Sequence, residues 1–130
     1  MKSQILIIDD DEAMCMLLEK LLHKNYAVTT KQNGMEAMYW LVGGRIPDLI
    51  ITDLDMPNLD GVEFLKNLKK SGFYKDVPVI VITGYHNKEQ KMECMKHGAY
   101  EYFAKPFNPK DLMFSVDVVL KHSKKKMKLI

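Results

Sequence analysis

The sequence predicts an α/β domain in which a doubly wound sheet of five parallel strands is covered by five helices. Three observations carry this. First, apolar runs without polar alternation recur at Gln4–Ile8, Leu49–Ile51 and Val79–Ile82, the pattern of strands buried on both faces. Second, the segments between them repeat apolar residues at helical spacing. Third, each run delivers a polar group at its end: Asp9, Asp53, Thr83 and, after Tyr100–Ala104, Lys105. In a doubly wound sheet every strand ends at one edge, and ligands bind there.

The elements follow in order. After Gln4–Ile8, a helix is expected over about Glu12–Lys24, with Met14, Leu17, Leu18 and Leu21 forming its inner stripe. Asp11 and Glu12 suit its N-terminus. A short strand spans Tyr26–Thr30. Gly34–Val42 forms the second helix, its apolar residues Met35, Met38 and Leu41, and Gly43-Gly44 stops it. Pro47-Asp48 opens the third strand, which is followed by the turn-rich Met56–Gly61. The third helix covers about Val62–Ser71, with Val62, Leu65 and Leu68 inward. Val77-Pro78 begins the fourth strand, where proline costs little. Lys88–His97 is a helix ended by Gly98, and Tyr100–Ala104 is the fifth strand. Asn108-Pro109 reads as an N-cap followed by proline at the first helical position. The last helix carries Leu112, Val116, Val119 and Leu120.

Composition narrows the function classes. The chain has 130 residues, 47% hydrophobic and 28% charged, ordinary for one globular domain. No apolar run approaches the ~20 residues of a membrane span, and no signal segment precedes the first strand, so a cytoplasmic location is the default expectation. Cys15 and Cys94 lack CxxC spacing and are expected to be buried small hydrophobes. Five lysines lie in the last ten residues; without them the chain has 14 basic and 17 acidic residues, a mildly acidic body with a basic end. That end, residues 121–130, is expected to be a solvated helix terminus, so nucleic acid and membrane are not expected partners.

The strand-end groups suggest phosphoryl chemistry. The consecutive carboxylates Asp9, Asp10 and Asp11 repel one another, a cost that a cation offsets. Magnesium uses one or two carboxylates with waters and phosphate oxygens; Asp9, Asp10 and Asp53 supply that chemistry. His23, His86, His97 and His122 show no ligand spacing. A carboxylate can also attack a phosphoryl group to form an acyl phosphate, and the Lys105 ammonium and Thr83 hydroxyl would help neutralise the transferred oxygens. Chance polar caps explain any one of these residues, but not four at four strand ends.

Ile7-Ile8-Asp9-Asp10, Asp53-Leu54-Asp55-Met56-Pro57-Asn58-Leu59-Asp60-Gly61, Val81-Ile82-Thr83-Gly84 and Lys105-Pro106-Phe107, in this order, resemble the receiver domain of two-component response regulators. The resemblance covers about Gln4–Lys121. It implies a flavodoxin-like strand order 2-1-3-4-5 and a phosphoprotein that takes a phosphoryl group from a histidine kinase or phosphotransfer protein. Asp53 matches the phosphoacceptor. Asp10 and Asp53 match direct Mg²⁺ ligands (with Mn²⁺ an alternative), Asp9 holds a metal-bound water, and the backbone carbonyl of Asp55 is the third protein ligand. Thr83 matches the hydroxyl that moves onto the phosphoryl group, and Lys105 the lysine that pairs with it. Tyr102 matches the aromatic switch residue, inward on activation and outward at rest. The Lys105–Pro106 bond matches one that is cis in the family. Asp11 is left as a helix-start residue. Two departures, the acidic Asp55 and the bulky Tyr85, flank the attacking-water path of the family and are expected to tune the lifetime of the phosphorylated state.

Three rival readings fit the residues less well. Asp53-Leu54-Asp55 is also the DxD of haloacid-dehalogenase-type phosphatases, but there it follows the first strand, not the third. A flavin-binding domain of the same fold needs a phosphate loop after the first strand, where Asp9–Asp11 would repel a phosphate. A pure interaction module has no need of the full acid, hydroxyl and lysine set. The expectation is thus a single receiver without an output domain in these residues. It catalyses its own phosphorylation and dephosphorylation rather than turning over a substrate. Its docking face for a downstream protein or second receiver is expected on the fourth helix, fifth strand and fifth helix.

Overall fold

The computed structural model describes residues 2–56 and 59–128, with side chains described except at 59 and 123–128. The central strands are β1 (Gln4–Ile8), β3 (Leu49–Thr52) and β6 (Val79–Thr83). All but Gln4 are buried, which is why these runs show no polar alternation. The edge strands β2 (Ala27–Lys31) and β7 (Glu101–Ala104) are mostly half-buried. The sheet order is β2-β1-β3-β6-β7, and every neighbouring pair is parallel. This is the expected order 2-1-3-4-5 once a two-residue hairpin is set aside. That hairpin, β4 (Asp55–Met56) with β5 (Leu59–Asp60), is antiparallel and occupies the segment read as a turn-rich loop. Pro57 and Asn58 of that loop lie outside the described residues.

Strand alternation divides the core in two. Ile5, Ile7, Leu49, Ile51, Ile80 and Ile82 face helices α1 (Glu12–Leu22) and α5 (Pro109–Lys128). Leu6, Ile8, Ile50, Val79 and Val81 face α2 (Gly34–Val42), α3 (Gly61–Lys70) and α4 (Lys88–Lys96). All five expected helices are present; α2 has its expected bounds, and the ends of α1, α3 and α4 shift by at most two residues. Cys15 and Cys94 are buried, as expected.

Short polar side chains start the helices by accepting from free backbone N–H groups. Asp11 caps α1, Asn33 α2, Asp60 α3 and Asn87 α4. Asn108 accepts from Lys110 N in the same way ahead of α5. Gly98 follows α4 with φ +96°, a conformation that a side chain would strain. Gly61 opens α3 against Leu54, whose Cα would lie 2.6 Å from an added Cβ. Close packing there holds the segment after Asp53 against α3.

Two inner stripes differ from expectation. In α1 the buried residues are Cys15, Leu18 and Leu22, with Met14 and Leu21 partly packed and Leu17 exposed. In α2 they are Gly34, Ala37 and Leu41, while Met35 and Met38 face solvent. Apolar residues surround α2, so periodicity did not select its inner face. The small Gly34 and Ala37 let the helix approach the sheet. The inner residues of α5 are those expected: Leu112, Val116, Val119 and Leu120. The side chains of its last lysines lie outside the described residues, apart from the exposed Lys121. Among the described residues no helix is long and apolar enough to cross a membrane.

Candidate phosphoacceptor and metal site

Parallel pairing carries the strand-end groups to one edge. Ile8 lies beside Thr52, so Asp9 and Asp53 emerge side by side. The ladder continues into them: Asp53 N donates to Ile8 O at 2.9 Å and Asp9 N to Lys31 O at 3.0 Å. Thr52 lies beside Val81, so Thr83 stands two residues farther out. Ala104 pairs with Thr83, and Lys105 N donates to Thr83 O at 2.8 Å. The Lys105–Pro106 bond is cis.

Lys105 joins the two buried carboxylates. Its Nζ donates to Asp9 Oδ2 at 3.1 Å and Asp53 Oδ2 at 3.3 Å. The remaining oxygens accept from main chain: Asp11 N donates to Asp9 Oδ1 at 2.9 Å and Asp55 N to Asp53 Oδ1 at 3.0 Å. Burial raises the Asp9 pKa and the neighbouring Asp53 charge adds to it, against the lowering effect of Asp11 N–H and Lys105. Burial alone would lower the Lys105 pKa, but hydrogen bonds and charge from Asp9 and Asp53 prevail and raise it.

Asp9, Asp10 and Asp53 offer carboxylate oxygens that lie within 4.8 Å of one another, and Asp10 is open to solvent. Three hard oxygen donors with one exposed side fit a hydrated divalent cation such as Mg²⁺ or Mn²⁺, not a thiolate- or imidazole-seeking metal.

Thr83 stands apart from this cluster. Its hydroxyl donates to Asp55 Oδ2 at 2.5 Å and accepts from Tyr85 N at 3.2 Å. Tyr85 is 75% exposed, and it is its main-chain N–H that touches Thr83. Tyr102 is inward: its ring is buried and its hydroxyl donates to Gln90 Oε1 at 3.0 Å. The His86 ring packs against it with centroids 5.6 Å apart. The sequence gives no sign that Gln90 or His86 touches Tyr102. Gln90, three residues after the cap Asn87, signals only a helix start, and its contact with Tyr102 depends on α4 lying against β7.

Residues 5–117 match the family model described as the response regulator receiver domain. The chain belongs to the response regulator receiver family. Over 121 residues it is 33% identical to the transcriptional regulatory protein ZraR of Klebsiella oxytoca, covering 92% of this chain and 27% of that protein. Among solved structures it resembles the chemotaxis protein CheY4 of Vibrio cholerae, with TM-score 0.82, 30% identity, and coverage of 92% of this chain and 99% of that one. It also resembles a BeF3-activated DrrB receiver domain, with TM-score 0.83, 25% identity, and coverage of 93% and 99%. The first curated relatives are longer: the chain spans 27% of ZraR and 53% of the response regulator MprA from a Mycobacterium strain. Asp9, Asp10, Asp53, Asp55, Thr83, Tyr85, Tyr102 and Lys105 of this receiver all fall within the matched residues.

Proposed function

We propose that this receiver accepts a phosphoryl group on Asp53 from a histidine kinase or phosphotransfer protein and relays the change to a partner. The observation that carries this reading is the Lys105 ammonium held between Asp9 and Asp53 beside an acidic cluster at the sheet edge. Asp53 is a carboxylate with a cation already placed beside it, which is what a nucleophile toward an anionic phosphoryl group requires.

In the transfer, an Asp53 oxygen forms the bond to phosphorus as the donor's N–P bond breaks. The electron pair stays on the donor nitrogen, which takes up a proton. Lys105 pairs with the arriving oxygens, and Asp55 N holds the other Asp53 oxygen in place. Asp9, Asp10, Asp53 and the Asp55 carbonyl would hold Mg²⁺, which when bound neutralises phosphoryl charge. The Thr83 hydroxyl exchanges Asp55 for a phosphoryl oxygen. That movement acts on the space beside Tyr102, already inward and tied to α4 through Gln90. The signal then emerges on α4, β7 and α5; Met92 and Met95 on α4, with Tyr85 just before α4 and Tyr100 just before β7, are exposed apolar groups for a partner or second receiver. The protein modifies itself and does not turn over a substrate.

Acetyl phosphate with Mg²⁺ should add one phosphoryl group, mapped by mass spectrometry to Asp53, and Asp53→Asn should abolish it. Beryllofluoride should change amide exchange in α4, β7 and the Tyr85–Asn87 turn. Phosphorylation mapped to Asp55 would overturn the assignment, and steady turnover of small phosphoesters would restore the DxD phosphatase.

A further inference from the structure

Helix α2 turns an apolar stripe to solvent. Met35, Tyr39 and Val42 are 79%, 83% and 77% exposed, and Met38 is also exposed. Their spacing of three and four residues places them on one face, away from the buried Gly34, Ala37 and Leu41. Exposed Ile46 follows the helix. A groove of about 340 Å³ between α2 and α3, lined by Met38, Phe64, Leu68 and Tyr74 among others, extends the surface. Isolated exposed apolar side chains are ordinary, but a contiguous helical stripe of this size marks a contact surface.

The charges beside the stripe suit a second copy of the same chain. Glu36 lies in the first turn of α2, and no basic residue lies in its last turn. Arg45 follows the helix, and its guanidinium sits over the Trp40 ring, 5.6 Å from the centroid. Glu36 and Trp40 are four residues apart, so they share one flank of the helix. An acid thus lies in the first turn of the helix and a base just beyond its C-terminal end, both on the same side of the stripe. When two such helices pack antiparallel about a two-fold axis, like flanks face each other. Each Glu36 then meets the partner's Arg45 while the two stripes close on one another. Packed parallel, this flank would not meet its counterpart.

We propose that α2 is a homodimer contact, in which two copies pair antiparallel through Met35, Met38, Tyr39 and Val42 and lock register by reciprocal Glu36–Arg45 pairs. The contact is distinct from the α4–β7–α5 face and does not require Asp53. A patch of four to six side chains falls toward the low end of specific interfaces, which bury ~800 Å² per partner, so the dimer is weak and concentration-dependent.

Sedimentation velocity of the 130-residue chain from low to high micromolar concentration tests this. The expected result is a monomer–dimer equilibrium that persists in Asp53→Asn, so its failure and that of the phosphoacceptor reading are separable. Tyr39→Arg and, independently, Met35→Lys should each weaken it at least ~30-fold, with circular dichroism unchanged. Glu36→Arg alone should weaken it by about tenfold, and adding Arg45→Glu should restore it. A chain monomeric throughout, a dimer insensitive to Tyr39→Arg, or a double charge swap that fails to restore association would overturn the proposal.

Discussion

The Thr83 hydroxyl donates its hydrogen bond to the Asp55 carboxylate, not to Asp53. The register of β6 against β3 explains this, because Thr83 stands two residues beyond the level of Thr52. An ionised acceptor makes a stronger bond than a neutral one. The Asp55 side chain therefore restrains the group expected to approach a phosphoryl oxygen, while Asp55 N supports Asp53 itself. One residue thus bonds both Asp53, through its main chain, and the Thr83 hydroxyl, through its side chain.

Asp55→Asn tests the restraint. The amide keeps an acceptor but loses the charge, so moving Thr83 away should cost about 1 kcal/mol less. Beryllofluoride with Mg²⁺ should then bind roughly fivefold more tightly, followed by fluorescence of the single tryptophan, Trp40, or by calorimetry. Unchanged affinity would show that the Thr83–Asp55 bond does not oppose the switch.

Lys105→Met removes the ammonium between two buried carboxylates. In chelator, stability at pH 7 should fall by on the order of 2 kcal/mol, because uncompensated buried charge is costly. Mg²⁺ should recover more melting temperature in this variant than in the wild type, since the cation takes over the lost neutralisation. Asp10→Asn should blunt the recovery. Equal Mg²⁺ responses in wild type and Lys105→Met would separate the lysine from the metal site.

Tyr85 follows Thr83 closely but leaves most of its ring in solvent. On the proposed reading, the ring would protect an acyl phosphate on Asp53 by standing in the path of the attacking water. Tyr85→Ala should shorten the phosphorylated lifetime a few-fold, on the order of 1 kcal/mol in barrier height. A lifetime that is equal or longer, measured by decay of the phosphorylated mass, would take the ring out of that path.

Cys94 is fully buried, and burial pushes its thiol pKa up to about 11, with the Glu93 charge adding to it. A pKa raised in the folded state favours the protonated form. The resulting stability is fully present below the unfolded thiol's pKa and is lost as pH rises from there toward about 11. The native chain should therefore resist thiol alkylation near pH 8 and react at both Cys15 and Cys94 once denatured. Fast labelling of Cys94 in the native state would contradict its placement.

Much of this receiver was legible in its residues. Ile5–Ile8, Leu49–Ile51 and Val79–Ile82 had to be doubly buried strands, because no polar side chain interrupts them. Their ends therefore place Asp9, Asp53 and Thr83 on one edge by pattern alone. The stripe of α5 was legible from the helical spacing of Leu112, Val116, Val119 and Leu120, although apolar Phe114 and Val118 also stand between them and are left exposed. Helix α2 was not, because apolar side chains surround it and periodicity then has no preferred direction. Only packing against the sheet decided that Gly34, Ala37 and Leu41 go inward and Met35, Met38 and Tyr39 outward. Partners far apart in the chain were likewise beyond the sequence. Thr83 reaches Asp55 through strand register, and Tyr102 reaches Gln90 because α4 lies over β7. Local pattern determines which groups stand at a strand's end, since that depends on the chain's own burial. Which neighbour each group bonds depends on how separate elements are stacked, and tertiary packing alone sets that.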